Sequence, residues 1–273
     1  MDPKIVCFIR DNPPLVYFAN KINSLYPLTE VIVEKAPITR TEVLKRIKRN
    51  GVGGVMSQIS DKIISNKRIK SEYDRFFGDM WRKLDDKISV YYTADINSRG
   101  VLEKIEKMRV DLIVDHGTSI VKDNIIENCE LALNLHWGLS PYYRGTHCSE
   151  WALINWDPYN IGVTIHKLTK DIDGGSIFAQ KRIDVESKDT LNSINMKLTL
   201  AGTELMLRGI EKYTHNEEVR FTAQDYSLGY LTYQRQWSGH LKKQVKYIEE
   251  NGAIEKMLKH PSRNKMLPIV EIN

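Results

Sequence analysis

Asn134 and His136 stand two positions apart at the end of an apolar run, Leu131-Ala132-Leu133. On a strand, residues i and i+2 face the same side, so the amide and the imidazole project together while Leu133, Leu135 and Trp137 face the other way. An amide N–H can donate to an oxygen gaining charge, and an imidazole exchanges a proton near neutral pH. A carboxylate is the usual partner that fixes or charges such a histidine. The best candidate is Asp173, 37 positions on in Ile172-Asp173-Gly174-Gly175, where the two glycines permit close backbone approach and unusual φ values. Local capping of a strand end would account for Asn134 and His136 alone. It leaves Asp173 and the loop Trp137-Gly138-Leu139-Ser140-Pro141-Tyr142-Tyr143-Arg144-Gly145 without a role.

The elements that must position these residues alternate. Ile5 to Ile9 reads as a buried strand, and Asn12-Pro13-Pro14 starts a helix, because proline is tolerated in a first turn. Val31 to Val33 is a second strand. Thr39 and Glu42 have capping-box spacing, with Gly51 ending that helix and Val55 beginning another strand. Residues 61 to 87 read as charged and helical, with Phe76, Phe77 and Trp81 on one packed side. Ile88 to Tyr92 and Val110 to Val114 are strands around a helical stripe of Val101, Leu102, Ile105 and Met108. Gly162 to Leu168 and Ser176 to Ile183 are strands, and a long helix runs from about Thr190 to Tyr213. The alternation predicts an α/β fold, a Rossmann-like and mostly parallel sheet flanked by helices, with ligands outside the carboxyl ends of the strands. Residues 1–213 would form the main domain. Residues 214–273, with Tyr226, Tyr230, Tyr233 and Trp237 followed by a basic helical tail, would form an appendage.

Composition excludes several classes. The chain has 273 residues, 41% hydrophobic and 27% charged, an ordinary globular balance. No apolar run approaches the roughly 18 residues of a membrane helix, and the N-terminus lacks a secretory pattern, so a cytoplasmic protein is expected. The net charge of +5 tolerates a phosphorylated partner without demanding nucleic acid. Cys7, Cys129 and Cys148 form no metal or disulfide pattern, and His147-Cys148, adjacent in the chain, is a poor nucleophilic pair. His116, His136, His147 and His166 lack metal-ligand spacing, so no metal is expected. Gly51-Val52-Gly53-Gly54-Val55 follows a helix rather than a strand and reads as a helix end, not a phosphate loop. Lys242, Lys243 and Lys246 read as a solvated helix face. The aromatic residues from Tyr226 to Trp237 suit a core, a homodimer interface or stacking on a base.

The combination of NLHWGLSPYYRG, GVTIHKL, IDGG, SIFAQKRI and the upstream DLIVDHGTSIVKDNII resembles the 10-formyltetrahydrofolate-dependent formyltransferases. The resemblance covers roughly residues 80 to 200 well and the N-terminal part in outline. It implies formyl transfer from 10-formyltetrahydrofolate to a primary amine. Asn134 and protonated His136 would stabilise the oxyanion, and Asp173 would hold the imidazole and relay a proton through water. Neither metal nor acyl-enzyme is implied. By the same resemblance Asp115, His116, Gly117, Thr118, Ile120 and Asp171 would receive the folate. Tyr142, Tyr143 and Tyr230 would meet the acceptor, and Arg144 would either serve the turn or meet a substrate phosphate or the folate tail.

Three acceptors fit the family: a nucleotide-linked amino sugar, methionyl-tRNA and glycinamide ribonucleotide. The GLSPYYRG loop most resembles the sugar N-formyltransferases. The tRNA enzymes carry a large C-terminal β-barrel, for which the stretch after the long helix is short, and the glycinamide enzymes usually stop sooner. The expectation is therefore an amino-sugar N-formyltransferase of bacterial surface glycan synthesis. A non-catalytic folate-binding module is the reading from a different class.

Overall fold

The computed structural model of the chain describes residues 3–35, 69–260 and 265–272. The expected helix from Thr39 to Gly51, the strand at Val55 and the Gly51–Val55 stretch lie outside these residues. Strands β1 (Ile5–Arg10), β2 (Leu28–Glu34), β3 (Val90–Thr93), β4 (Val110–His116) and β5 (Cys129–His136) are joined in one sheet with β7 (Gly162–Lys167) and β8 (Ile177–Arg182). The order is β3-β2-β1-β4-β5-β7-β8. The first five run parallel, whereas β7 pairs antiparallel with both β5 and β8. The strand order reverses between β1 and β4, which makes their carboxyl ends the crevice of the sheet.

Strand alternation sorts side chains onto two buried faces. Cys7, Val31, Val33, Val114, Leu133, Leu135, Val163 and Ile165 form the larger core under α1 (Pro13–Asn23), α5 (Cys148–Ile154) and α6 (Leu191–Thr214). Val6, Phe8, Ile32, Ile113 and Ala132 form the other, against Val101 and Ile105 of α3 (Arg99–Met108) and Ile125 of α4 (Asp123–Ile126). The helix described over 69–77, here α2, contributes Phe77 to a third cluster with Tyr17, Trp81 and Met196. Helix starts follow their caps. Asn12 accepts from Leu15 N ahead of Pro13-Pro14, and Thr190 and Ser193 cap α6 reciprocally.

The stretch after α6 folds back onto the sheet. Strand β9 (Tyr230–Thr232) pairs in parallel with β6 (Tyr143–Gly145), giving a second, two-stranded sheet. Helices α7 (Gly239–Glu250) and α8 (Ala253–Leu258) place Ile248, Ala253, Ile254 and Met257 in the larger core. Val270 then exchanges hydrogen bonds with Gln180 on the outer edge of β8. Helices α7 and α8 and Val270 thus pack against the main sheet and its core. Among the described residues no helix is long and apolar enough to cross a membrane.

Charge is buried at the crevice. Glu34 and Asp115 are each about 5% exposed. Glu34 is held by Arg10 and by the Ser119 and Ile96 N–H groups. Asp115 accepts from Thr118 Oγ1 at 2.5 Å. Burial, opposed by Thr118 and reinforced by Glu34, pushes the Asp115 carboxyl up to about 7. A raised carboxyl keeps its proton in the folded chain between about pH 4 and 7 while the unfolded chain loses it, so stability falls across that window. Asp115→Asn is therefore expected to gain stability over the parent as pH rises, reaching on the order of 4 kcal/mol above pH 7. Urea unfolding of both proteins at pH 4 and pH 8 measures this; an equal difference at the two pH values would contradict it.

Candidate functional site

Cross-strand register builds the site. Asp115 of β4 lies beside Asn134 of β5, and Asn134 beside His166 of β7. One step along, His136 lies beside Thr164, and Thr164 beside Gln180 of β8. Paired positions share a face, so a row of polar side chains crosses the sheet on the side of Ala132. His166 fixes the amide of Asn134. The Lys167 carbonyl, 2.7 Å from His166 Nδ1, can only accept, so Nδ1 donates to it and Nε2 is left to face Asn134. Asn134 Nδ2 then donates to His166 Nε2 at 2.9 Å. The second hydrogen of that amide stays available.

Asp173 reaches this row because the loop between β7 and β8 folds back over it. Its Oδ2 lies 3.3 Å from His136 Nδ1 and accepts from Gly145 N at 2.7 Å, and its Oδ1 lies 3.6 Å from His166 Nε2. The residue sits in the left-handed region, φ 46°, which a short polar side chain tolerates better than most. Burial raises its carboxyl, but His136, His166 and the Gly145 N–H together hold it down to about 2. His136 donates from Nε2 to the Tyr143 carbonyl at 3.0 Å. Its pKa is lowered, because burial outweighs the opposing pull of Asp173 and the Tyr143 carbonyl. Burial of the imidazole thus works against the protonated His136 that was expected, while Asp173 and the Tyr143 carbonyl, one on each ring nitrogen, favour it.

The loop after β5 forms the wall. Thr164 Oγ1 donates to Gly138 O and accepts from Ser140 N, and Gln180 donates to Ser140 O. Gly138 is required by contact, since a Cβ there would fall 2.3 Å from His136 Nε2 and 2.5 Å from Tyr143 O. Tyr143 does not face the site. Its hydroxyl donates to Asp157 at 2.8 Å, and burial with that carboxylate raises its pKa. Tyr142 is half-buried against the larger core, and its carbonyl accepts from Tyr230 N. The Tyr230 ring itself is 68% exposed. Arg144 is 9% exposed, lies 4.2 Å over the Tyr226 ring, has an unpartnered Nε and has no ion pair with any described residue. Its charge acts on His136, lowering that pKa slightly further. His147 and Cys148 separate: His147 stacks on Trp237 and bonds Glu150, while the Cys148 sulfur lies 3.6 Å from His136 Nε2. Burial keeps that thiol well above its ordinary pKa.

The six residues expected at the folate divide. Asp115 is in the polar row, Thr118 bonds it, and Gly117, φ 76°, turns an exposed loop that carries Ile120 outward. Asp171 is exposed on the Asp173 loop, where its carbonyl accepts from Gly174 N. His116 is not brought to this group. As the neighbour of Asp115 on the strand it faces the opposite core, its ring edge-on to Phe18 and Trp137, its Nδ1 bonded to Leu135 O. Burial drives its pKa down to about 3, so it stays neutral. Sequence reasoning weighed His166 only as a metal ligand; its position two after Thr164, on a strand antiparallel to β5, is what makes it a site residue. Among the described residues no group of three or more His, Cys, Asp or Glu is placed to hold a metal ion.

The chain is 34% identical over 145 residues to the bifunctional polymyxin resistance protein ArnA of Wigglesworthia glossinidia brevipalpis, covering 52% of this chain and 22% of that protein. It is 30% identical over 144 residues to the methionyl-tRNA formyltransferase of Lactobacillus johnsonii, covering 52% and 45%. It thus spans less than half the length of these two relatives. Its fold is similar to that of a 4-N formyltransferase from Francisella tularensis, with a TM-score of 0.55 at 20% identity over 87% of this chain and 79% of that one. An N-formyltransferase from Helicobacter canadensis, in complex with folinic acid and dTDP-3-aminofucose, gives 0.54 at 16% identity over 85% and 72%. A model of the formyl transferase family matches residues 33–210, well over half the chain and the whole polar row with Asp173. The chain belongs to the formyl transferase family.

Proposed function

We propose that this protein moves a formyl group from 10-formyltetrahydrofolate to the primary amine of a nucleotide-linked amino sugar. The observation that carries the reading is the Asp173 carboxylate 3.3 Å from His136 Nδ1, beside an Asn134 amide held by His166 at 2.9 Å. The residues suit such a donor. One Asn134 N–H remains uncommitted on the polar row, and the loop turned by Gly117 adjoins the same strand ends. The folate supplies an activated formyl carbon. Asn134 donates to the formyl oxygen as it gains charge during attack by the amine, the preorganised kind of stabilisation that lowers barriers most. His136, backed by Asp173, takes up the proton that the amine loses, directly or through water, and a proton is returned to the folate nitrogen as its bond to the formyl carbon breaks and tetrahydrofolate leaves.

The acceptor class is supported by Arg144. A buried guanidinium that meets no carboxylate among the described residues suits an anion brought by the substrate, and a sugar diphosphate offers one. The ligand of the Helicobacter canadensis enzyme, dTDP-3-aminofucose, has that chemistry. Tyr230, exposed on β9 next to the Tyr142–Arg144 wall, is placed to contact the remainder of such a substrate. Methionyl-tRNA stays as the second reading because the Lactobacillus johnsonii relative acts on it by name. Homodimer formation and a place in bacterial surface glycan synthesis belong to the same proposal.

Asn134→Ala and His136→Ala should each lower kcat by about 10²–10³ with the fold retained, and Asp173→Asn should be similarly damaging. Because His136 must be neutral to accept a proton and its pKa lies below 6.5, the acid limb of the kcat profile should also fall below pH 6.5. Near-normal turnover in folded His136→Ala, or an acid limb centred above pH 6.5, would overturn the mechanism.

The acceptor is read by mass after incubation with 10-formyltetrahydrofolate and dTDP-, UDP- or GDP-linked amino sugars. Formylation of at least one is expected, with a shallow dependence on salt, since a nucleotide sugar carries few phosphates. Efficient formylation of methionyl-tRNA with a steep salt slope, and of no nucleotide sugar, would replace the sugar reading with the tRNA one.

A further inference from the structure

The loop that carries Asp173 is held from a stretch of chain beyond residue 210, where the family match ends. Thr222 pairs with Ile177 through both backbone groups, at 2.7 and 2.8 Å. Two residues on, Gln224 Nε2 donates to the carbonyls of Asp173, at 2.8 Å, and Gly175, at 2.5 Å. A carboxamide nitrogen carries two hydrogens, and both are spent on the carbonyls that bracket the Gly174 turn. The Tyr226 hydroxyl donates to the third carbonyl of that turn, Gly174 O. Against the carboxylate itself stands Gly145 N, and Gly145 is held by β9: its Cβ, if present, would lie 1.9 Å from Thr232 O. Thr232 also donates to Thr146 O at 2.7 Å. Asp173 is therefore held through its backbone carbonyl by Gln224 and through its carboxylate by Gly145 N.

We infer that Gln224 is a positioning residue, which sets the Asp173 carboxylate against His136 by tying down the backbone on either side of Gly174. Neither residue type nor spacing would replace it. Asparagine is one methylene too short to span both carbonyls, leucine offers no donor, and an ionised glutamate would oppose two carbonyl oxygens. Residue 173 is non-glycine at φ 46°, a conformation that must be held by its surroundings. Release of the loop by about 1 Å would weaken the contact of Asp173 with His136, and a misplacement of that size costs on the order of 10²-fold in rate.

The inference rests on the proposed roles of His136 and Asp173, so its test includes a readout that needs no turnover. The His136 ring is titrated by NMR in nitrogen-15 histidine-labelled parent, Gln224→Leu, Gln224→Glu and Asp173→Asn proteins. Asp173 raises the His136 pKa, so Gln224→Leu should lower it, in the direction given by Asp173→Asn. In turnover, kcat should fall by about ten- to a hundredfold with little change in KM for either substrate. Gln224→Glu should recover towards the parent as pH falls, because a protonated carboxyl regains one donor. A His136 titration in folded Gln224→Leu that superimposes on the parent overturns the inference. If that variant does not fold, Gln224→Glu, which keeps the size of the side chain, carries the test by the same criterion. A shifted His136 titration in a protein that formylates no amine would uphold the positioning role and defeat the proposed function instead.

Discussion

A single buried carboxylate organises this end of the molecule. Asp173 keeps its charge while its side chain is 12% exposed, and removing a carboxylate from water costs several kcal/mol even after relaxation. That cost is offset by the Gly145 N–H, which donates to Oδ2, and by the pull of the His136 and His166 rings on the charged carboxyl. Each of those partners makes its own demand on the fold. His136 and His166 must come from adjacent antiparallel strands on the same face, which fixes the register of β5 with β7. Gly145 must have no side chain, because its backbone lies against Thr232. Gly175 must have none either, since a Cβ there would sit 1.8 Å from Lys167 O and 3.1 Å from His166 Nδ1.

The same constraint explains why the C-terminal stretch is packed so closely. Strand β9 holds β6, and β6 supplies both the Gly145 N–H to Asp173 and the Tyr143 carbonyl to His136. Gln224 and Tyr226 hold the turn on the far side of Asp173. Read by composition, this stretch is an aromatic and basic tail. By its contacts it packs against the Asp173 turn and against β6. The Tyr226 ring also lies under the Arg144 guanidinium, so an aromatic residue expected to serve a core or an interface instead partners a buried charge.

What was legible in the sequence was whatever depends on local period. The i, i+2 spacing of Asn134 and His136, the strand and helix alternation, the capped starts of α1 and α6, and the glycines around Asp173 all follow from near neighbours. Relations set by long-range pairing were not legible. The antiparallel turn of β7 puts His166 beside Asn134, and nothing near His166 signals it. His116 and Tyr143 were grouped with the site through the loops that carry the resemblance, yet each adjoins a site residue on a strand and so faces the opposite side, and both are core residues. The protonation of His136 also escaped the sequence, since it depends on burial that only the assembled loops create.

The central claim is that Asp173 is ionised because His136, His166 and Gly145 hold it so. The direct measurement is a carbon-13 NMR titration of the Asp173 carboxyl in the intact chain. The account predicts a carboxylate that shows no midpoint between about pH 5 and 3 and titrates near 2. A midpoint at the ordinary aspartate value of about 3.9 would contradict it, because it would mean that neither imidazole is close enough to carry the charge.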